Sequence, residues 1–435
     1  MEEEPHREAA PELQAQLILL AASHHNLELL RTLLRDGSAS VQDPERGFTP
    51  LHAAIAACDP AENASSQAQD GSSNGATDGP SRENVNSNVR GDTIGLDVEA
   101  ADKTVRMLLQ NGAIWNDVDA KNETPGCLAL RLGLRELYEI MVDAGVRAEM
   151  LLNRLDEYEQ LQDNDDVESE DEDAEKETTA ESIDKDTNSA FQEGVNGHTD
   201  NGSIPQMITS TTSEGDLHNE NYLQSSLRFQ DGRILDDSHN SVMMAWETDI
   251  MKRTADLLTP APGLRILNVG HGMGIIDAFF QEKGPITHHI IEAHPSVIRR
   301  MKKDGWDTKT NVTIHEGRWQ DVIPKIMELG ILFDAVYFDT FAEDYRALRD
   351  FFSDFMLGLL DDGGKWSFFN GLGADRQICY DVYGKVVEMD LFEAGFDTVW
   401  DTIQVPEMEN GEWEGIKRPY WALREYRLPV CEFIG

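Results

Sequence analysis

The stretch Arg265-Ile266-Leu267-Asn268-Val269-Gly270-His271-Gly272-Met273-Gly274-Ile275 decides the fold of this chain. A short apolar run bounded by glycines reads as a buried strand, and the run after Gly274 reads as an amphipathic helix. Between them the glycines supply a sharp turn and let backbone approach a ligand closely, beside the free N–H groups of a helix N-terminus. The GxGxG spacing differs from the GxGxxG of dinucleotide sites and favours a ligand without a pyrophosphate. The next strand ends in Ile290-Ile291-Glu292-Ala293-His294, with a carboxylate 22 residues beyond Gly270, where two acceptor oxygens can grip a ribose diol. After a third strand comes Glu316-Gly317-Arg318-Trp319-Gln320-Asp321, whose indole is placed to cover an adenine face. Singly, each has a plain alternative: an ordinary βα turn, a surface helix cap, a core plug. In order within one βαβαβ unit, they form three loops at the carboxyl ends of adjacent strands around one nucleoside.

Working outward, the sequence from residue 220 alternates β-rich runs with amphipathic helices, the pattern of a doubly wound α/β sheet. Strands are expected at Arg265–Val269, Thr287–Glu292, Val312–His315, Phe333–Asp339, Lys365–Phe369, Thr398–Val405 and Tyr420–Arg427. Helices are expected at Gly274–Lys283, Pro295–Asp304, Gln320–Leu329, Asp344–Leu360 and Gln377–Ala394. With no helix between the last two strands, the sheet should end in an antiparallel hairpin.

The 435 residues allow about three domain-sized units. Acidic residues outnumber basic ones 81 to 37, and a net charge of −44 repels nucleic acid and anionic membranes, so neither is an expected partner. The apolar run Leu17 to Ala22 is far too short to span a bilayer. Cys58, Cys127, Cys379 and Cys431 form no CxxC pair and the chain opens Met1-Glu2-Glu3-Glu4, so a reducing, intracellular setting without disulfides or a metal site is expected. Residues 151–219, with Glu168-Ser169-Glu170-Asp171-Glu172-Asp173 at their centre, read as an acidic disordered linker.

Self-comparison reveals repeats. Leu33-Leu34-Arg35-Asp36-Gly37 returns as Leu108-Leu109-Gln110-Asn111-Gly112, and Thr49-Pro50 returns as Thr124-Pro125, both after 75 residues. Val142-Asp143-Ala144-Gly145 follows Gly112 by 33, so the first offset exceeds one repeat by 42, which matches a polar insertion at about 59–98. Thr49-Pro50-Leu51-His52-Ala53-Ala54 and the 33-residue period resemble the ankyrin repeat. Residues 13–150 are therefore expected to be an α-helical ankyrin-like unit, with Thr-Pro opening one helix and Gly ending the next. It is either a protein-docking surface, the favoured reading, or a stabilising cap on the domain that follows.

The three nucleoside loops together resemble class I S-adenosylmethionine-dependent methyltransferases, whose Rossmann-like seven-stranded sheet would occupy residues 220–435. That resemblance implies S-adenosylmethionine as cofactor, held by Tyr222, Met251, Gly270, His271, Gly272, Met273, Gly274, Ile275, Glu292, Ala293, His294, Gly317, Arg318, Trp319 and Asp339. Many such enzymes carry an acid where this chain has Asn268, so donor contacts there should be weaker or water-mediated. Val242 to Met251, which includes Trp246-Glu247-Thr248, and Phe333 to Thr340, which ends Tyr337-Phe338-Asp339-Thr340, resemble the two segments with which guanidinoacetate methyltransferases hold a guanidinium. Glu247 and Asp339 are the matching carboxylates. The chemistry is sensible without the likeness: a guanidinium stays protonated and offers five donors in a planar fork, so two convergent carboxylates suit it. Read as one helix, Met243, Glu247 and Met251 would share a stripe. Either carboxylate is able to accept the proton that the nucleophilic nitrogen loses. The plain alternative is a solvent-facing Glu247 and a helix-capping Asp339.

The whole arrangement resembles the fungal type IV protein arginine methyltransferases, which methylate the internal δ-nitrogen (N5) of arginine in a ribosomal protein. Phe369-Asn370-Gly371-Leu372-Gly373 is similar to their substrate-side loop. The double-Glu loop and Thr-His-Trp segment of the common arginine methyltransferases are not found. The resemblance implies a monomer in cytoplasm and nucleus, acting on a basic protein substrate docked through the repeats. A guanidinoacetate enzyme and a non-catalytic ankyrin scaffold are the alternatives.

Overall fold

A computed structural model describes residues 9–59, 88–162, 220–230, 232–408 and 411–435. The N-terminal part is helical: α1 (Ala9–Ser23), α2 (Leu27–Leu33), α3 (Pro50–Ala56), α4 (Asn88–Gln110), α5 (Pro125–Arg131) and α6 (Arg135–Gln162). Thr49 and Thr124 each cap a seven-residue helix that opens with Pro, accepting N–H bonds from His52 and Cys127. His52 is fully buried, and its Nε2 lies 3.0 Å from the Glu123 carbonyl, which ties α3 to the start of α5.

Glycine roles in this unit differ from expectation. Gly112 ends α4 with φ +85°, but Gly37 has no positive φ, and Gly145 lies inside α6, pressed against Trp115 and Val382. The third echo therefore marks close helix packing rather than a helix end. The stretch read as a polar insertion is helical from Asn88, and the stretch read as a linker is helical to Gln162. The rest of both expectations, residues 60–87 and 163–219, lies outside the described residues.

A small antiparallel sheet follows, β1 (Arg228–Gln230), β2 (Arg233–Leu235) and β3 (Ser241–Met244), leading through a 3₁₀ turn at Ala245–Glu247 into α7 (Thr248–Leu258). The main sheet then builds from β4 (Arg265–Val269), α8 (Ile275–Glu282), β5 (Thr287–Glu292), α9 (Pro295–Lys303), β6 (Val312–Glu316), α10 (Trp319–Glu328) and β7 (Phe333–Phe338). After α11 (Tyr345–Asp350), a π turn (Phe351–Phe355) and α12 (Met356–Leu359) come β8 (Leu360–Phe368), α13 (Gln377–Glu393), β9 (Phe396–Gln404) and β10 (Glu425–Phe433).

The seven strands lie in the order β6-β5-β4-β7-β8-β10-β9, with β10 antiparallel to both neighbours. The winding reverses between β4 and β7, the place where an open α/β sheet leaves a crevice at its carboxyl edge. The last strand begins five residues later than its expected start, because the alternation Tyr426, Leu428, Val430 faces the core while Pro429 interrupts the sequence signal. The helix expected at Asp344–Leu360 is broken by the π turn where Phe351 and Phe352 pack inward.

Helix α13 is shared by the two parts. Ile378, Cys379, Val382 and Val386 belong to the core of the N-terminal helices, whereas Val387 and Leu391 belong to the core of the sheet. Polar ties reinforce the junction: the Tyr138 hydroxyl donates to Asp381 at 2.6 Å and the Tyr383 hydroxyl to Glu149 at 3.1 Å. A Cβ at Gly145 would stand 2.6 Å from Val382 Cγ2 and 3.1 Å from the Trp115 ring. Gly145→Leu gains about 1 kcal/mol of helix propensity but overpacks this junction at a cost of roughly 1–3 kcal/mol, more because both neighbours are stiff. Scanning calorimetry should show a Tm lower by several °C.

Candidate active site

The carboxyl ends of β4, β5, β6 and β7 are laced by backbone. Gly270 N–H donates to Ile291 O, Gly317 N–H to Glu292 O, and Asp339 N–H to Val269 O, each at 2.9 Å. Gly270 has φ +96°, and a Cβ there would stand 1.9 Å from the Asp339 carbonyl oxygen. Only a residue without a side chain permits this approach, which brings the first glycine of the turn against the end of β7.

Above this lacing lies an open cleft whose space, counting its mouth, is about 760 Å³. Of the residues expected at the nucleoside site, Tyr222, Gly270, His271, Gly272, Glu292, Ala293, Gly317, Arg318, Trp319 and Asp339 line it. The Glu292 carboxylate accepts backbone N–H bonds from His271 at 2.9 Å and His294 at 2.7 Å, so its position is fixed by the two loops it joins.

Five expected residues are not among those lining the cleft. Met251 is fully buried in the core with Phe280 and Tyr337, because α7 turns that face inward. Met273 donates its N–H to the Met243 sulfur, while Gly274 and Ile275 begin α8, whose Ile276 reaches the cleft instead. His294 caps α9 and contacts the Tyr222 carbonyl at 3.1 Å. Trp319 keeps only an edge in the cleft: it is 4% exposed, packs against Phe338, Phe351 and Phe355, and donates to Glu343. Its part in covering an adenine is therefore corrected to a wall of the cleft.

Below the glycine turn is a buried polar cluster that the motif reading missed. Asn268 donates to Gly270 O at 2.9 Å and to Asp277 at 2.8 Å, and Asp277 also meets His271 Nδ1 at 2.6 Å and His288 Nε2 at 2.9 Å. Burial alone would raise the Asp277 carboxyl, but the two imidazoles outweigh it and hold the group at about 2. Asn268 and Asp277 are both fully buried and outside the cleft lining, so they brace the loop from beneath rather than facing the donor cleft.

The stripe of Met243, Glu247 and Met251 does not exist as one helix face. Met243 is in β3, Glu247 closes the 3₁₀ turn, and Met251 is in α7. Glu247 is 4% exposed, and its Oε1 accepts the Met244 N–H at 3.1 Å and the Tyr420 hydroxyl. Burial, then the negative charge of Asp339, push Glu247 up to about 8 against these two hydrogen bonds. Asp339 is half-exposed to the cleft, and burial pushes it up to about 7. The two carboxyls are therefore coupled through space, with Asp339 lining the cleft. Glu247 itself stands behind the cleft wall. Tyr420 was read from sequence as the start of a strand, and nothing in its neighbours Pro419 and Trp421 signals a partner 173 residues away.

Comparison with known proteins agrees with this geometry. Residues 213–410 match the family model of guanidinoacetate N-methyltransferases. A relative from Emericella nidulans called protein arginine N-methyltransferase 2 is 51% identical over 99% of both chains. Relatives of the same name from Aspergillus fumigatus and Neurospora crassa are 52% and 44% identical, covering 97% and 98% of this chain and 97% and 96% of their own. The chain belongs to the protein arginine N-methyltransferase 2 family. Its C-terminal part has the class I methyltransferase fold, with the seven-stranded mixed sheet of that class.

S-adenosylmethionine, the methyl donor of this fold, fits the residues present. Glycines 270 and 272 leave backbone bare at the cleft, Glu292 offers carboxylate oxygens at its floor, and Tyr222 and Met243 supply an apolar wall. Gly270→Ala tests the cradle of this arginine N-methyltransferase 2 relative. Because the added methyl collides with backbone rather than with a movable side chain, calorimetric titration of the folded variant should show donor affinity reduced at least tenfold, and thermal unfolding a Tm lower by several °C.

Proposed function

We propose that this protein is a type IV arginine methyltransferase, transferring methyl to the internal δ-nitrogen of arginine in a basic protein. The observation that carries the reading is the coupled pair of raised carboxyls, Asp339 in the donor cleft and Glu247 just behind its wall. Two acids held up toward neutrality have no cation beside them among the described residues, and a guanidinium is the cation whose planar fork serves both. Its arrival favours their ionised forms, fixes the nitrogen, and offsets the repulsion between a cationic nucleophile and a cationic donor. S-adenosylmethionine supplies an electrophilic methyl on a sulfonium. As the new N–C bond forms the nitrogen must release a proton, and Asp339 or Glu247 in its ionised form accepts it.

The N-terminal helices belong to the same reading as ankyrin-like repeats that dock the substrate. The paired Thr-Pro caps 75 residues apart support this, and a metabolite enzyme has no use for such a unit. A ribosomal substrate, action as a monomer, and residence in cytoplasm and nucleus follow from the likeness to type IV enzymes. The acidic chain favours a basic partner. Among the described residues no helix is long and apolar enough to cross a membrane.

Three measurements test the proposal. Labelled donor with a fungal ribosomal extract should yield protein-bound methylarginine whose fragmentation places the methyl on the δ-nitrogen; labelling of guanidinoacetate alone would refute it. Because ionised carboxylates bind the cation and the groups titrate at about 7 and about 8, kcat/KM should climb from pH 6 through pH 8 and level off only at about pH 9. Glu247→Gln should lower kcat about a hundredfold or more, with donor affinity within twofold of the parent. Equal losses in donor affinity and turnover would remove Glu247 from the substrate side.

A further inference from the structure

In the β9–β10 connection, the described residues 405–408 and 411–424 form a strap drawn over Glu247. Its base closes where Val405 N–H donates to Arg424 O at 2.8 Å. Along its length, Lys417 N–H donates to His239 O at 2.9 Å, Arg233 donates to Glu414 O at 3.0 Å, Arg418 pairs with Asp375, and Ala422 N–H donates to Ala374 O at 2.9 Å. Trp421, 2% exposed, anchors it among Trp246, Tyr380 and Tyr426. These ties present one polar group inward, the Tyr420 hydroxyl, between the rings of Trp246 and Trp413.

The hydrogen bonds there have a direction. Trp246 Nε1 is a donor only, and it lies 3.0 Å from the Tyr420 oxygen. With one lone pair so occupied, the single phenolic proton is directed at Glu247 Oε1. That oxygen also takes the Met244 N–H, while no described residue donates to Oε2. One oxygen of the carboxylate is saturated by the protein and the other is left bare.

We propose that Tyr420 is a positioning residue for Glu247, a role that nothing in the glycine-rich methyl-donor motif encodes: its hydroxyl, aimed by Trp246, holds the carboxylate so that Oε2 faces the guanidinium, and favours the ionised form. This rests on the reading of Glu247 as a guanidinium ligand. A hydrogen bond to the charged form opposes burial, so its removal must make Glu247 a weaker acid. A strap that only covers the core would not have that effect.

The test begins without substrate. In protein carrying ¹³C-labelled glutamate carboxyls, with the Glu247 resonance assigned by its loss in Glu247→Gln, Tyr420→Phe should raise the Glu247 titration midpoint by about one pH unit. Trp246→Phe should move it the same way by less. An unchanged midpoint in Tyr420→Phe overturns the proposal, whatever happens to Tm. The kinetic arm uses labelled donor and the ribosomal extract. Tyr420→Phe should lower kcat roughly tenfold and shift the acid limb of kcat/KM upward with the NMR midpoint, and should add less than twofold to the loss in a Glu247→Gln background. Full activity in Glu247→Gln would defeat the reading of Glu247 itself. An impaired Glu247→Gln beside a Tyr420→Phe that matches the parent in midpoint and pH profile would defeat only the role of Tyr420.

Discussion

Gly270 meets the Asp339 carbonyl so closely that no side chain fits between them, and the site is organised by that contact. It pins the glycine turn after β4 to the end of β7, across the reversal in strand order. One consequence is that the donor cleft and a carboxyl group share a single backbone junction. Methyl transfer needs two reactants in line, and the protein supplies part of that alignment through main chain, which has few ways to relax.

Around this junction the polar groups divide into two kinds. Asp277 is buried and paired with two imidazoles and Asn268, and it braces the turn from beneath as a settled charge. Glu247, buried, and Asp339, open to the cleft, have no cation beside them among the described residues and are held up toward neutrality. The first arrangement stabilises a loop; the second stores an electrostatic demand that a cationic substrate satisfies. The contrast between two acids of similar depth distinguishes scaffold from chemistry more clearly than burial does.

The parts legible in the sequence were those in which local pattern and tertiary role agree. The strand-glycine-helix unit at 265–283, the acid at Glu292 and the Thr-Pro caps all announce themselves within a few residues. Glu247 stands out in the sequence through its segment, but the helical stripe expected through it does not form, since the chain changes from strand to 3₁₀ turn to helix between Met243 and Met251. Side-chain spacing of four means a shared face only if one helix carries all the residues. Asp277 looked like an ordinary residue of an amphipathic helix, and Tyr420 like the start of a strand. Their partners lie in other elements, so only the packed chain reveals them.

Helix α13 lends one flank to the N-terminal helices and another to the sheet, so neither hydrophobic core is complete without it. Melting either half strips apolar surface from the other, which couples their free energies and makes the chain open cooperatively instead of shedding its first third. The N-terminal helices are consequently built in rather than hung on a tether. A protein gripped by them would be gripped in a fixed orientation relative to the cleft, so which arginines can reach it becomes a matter of geometry as much as of local charge.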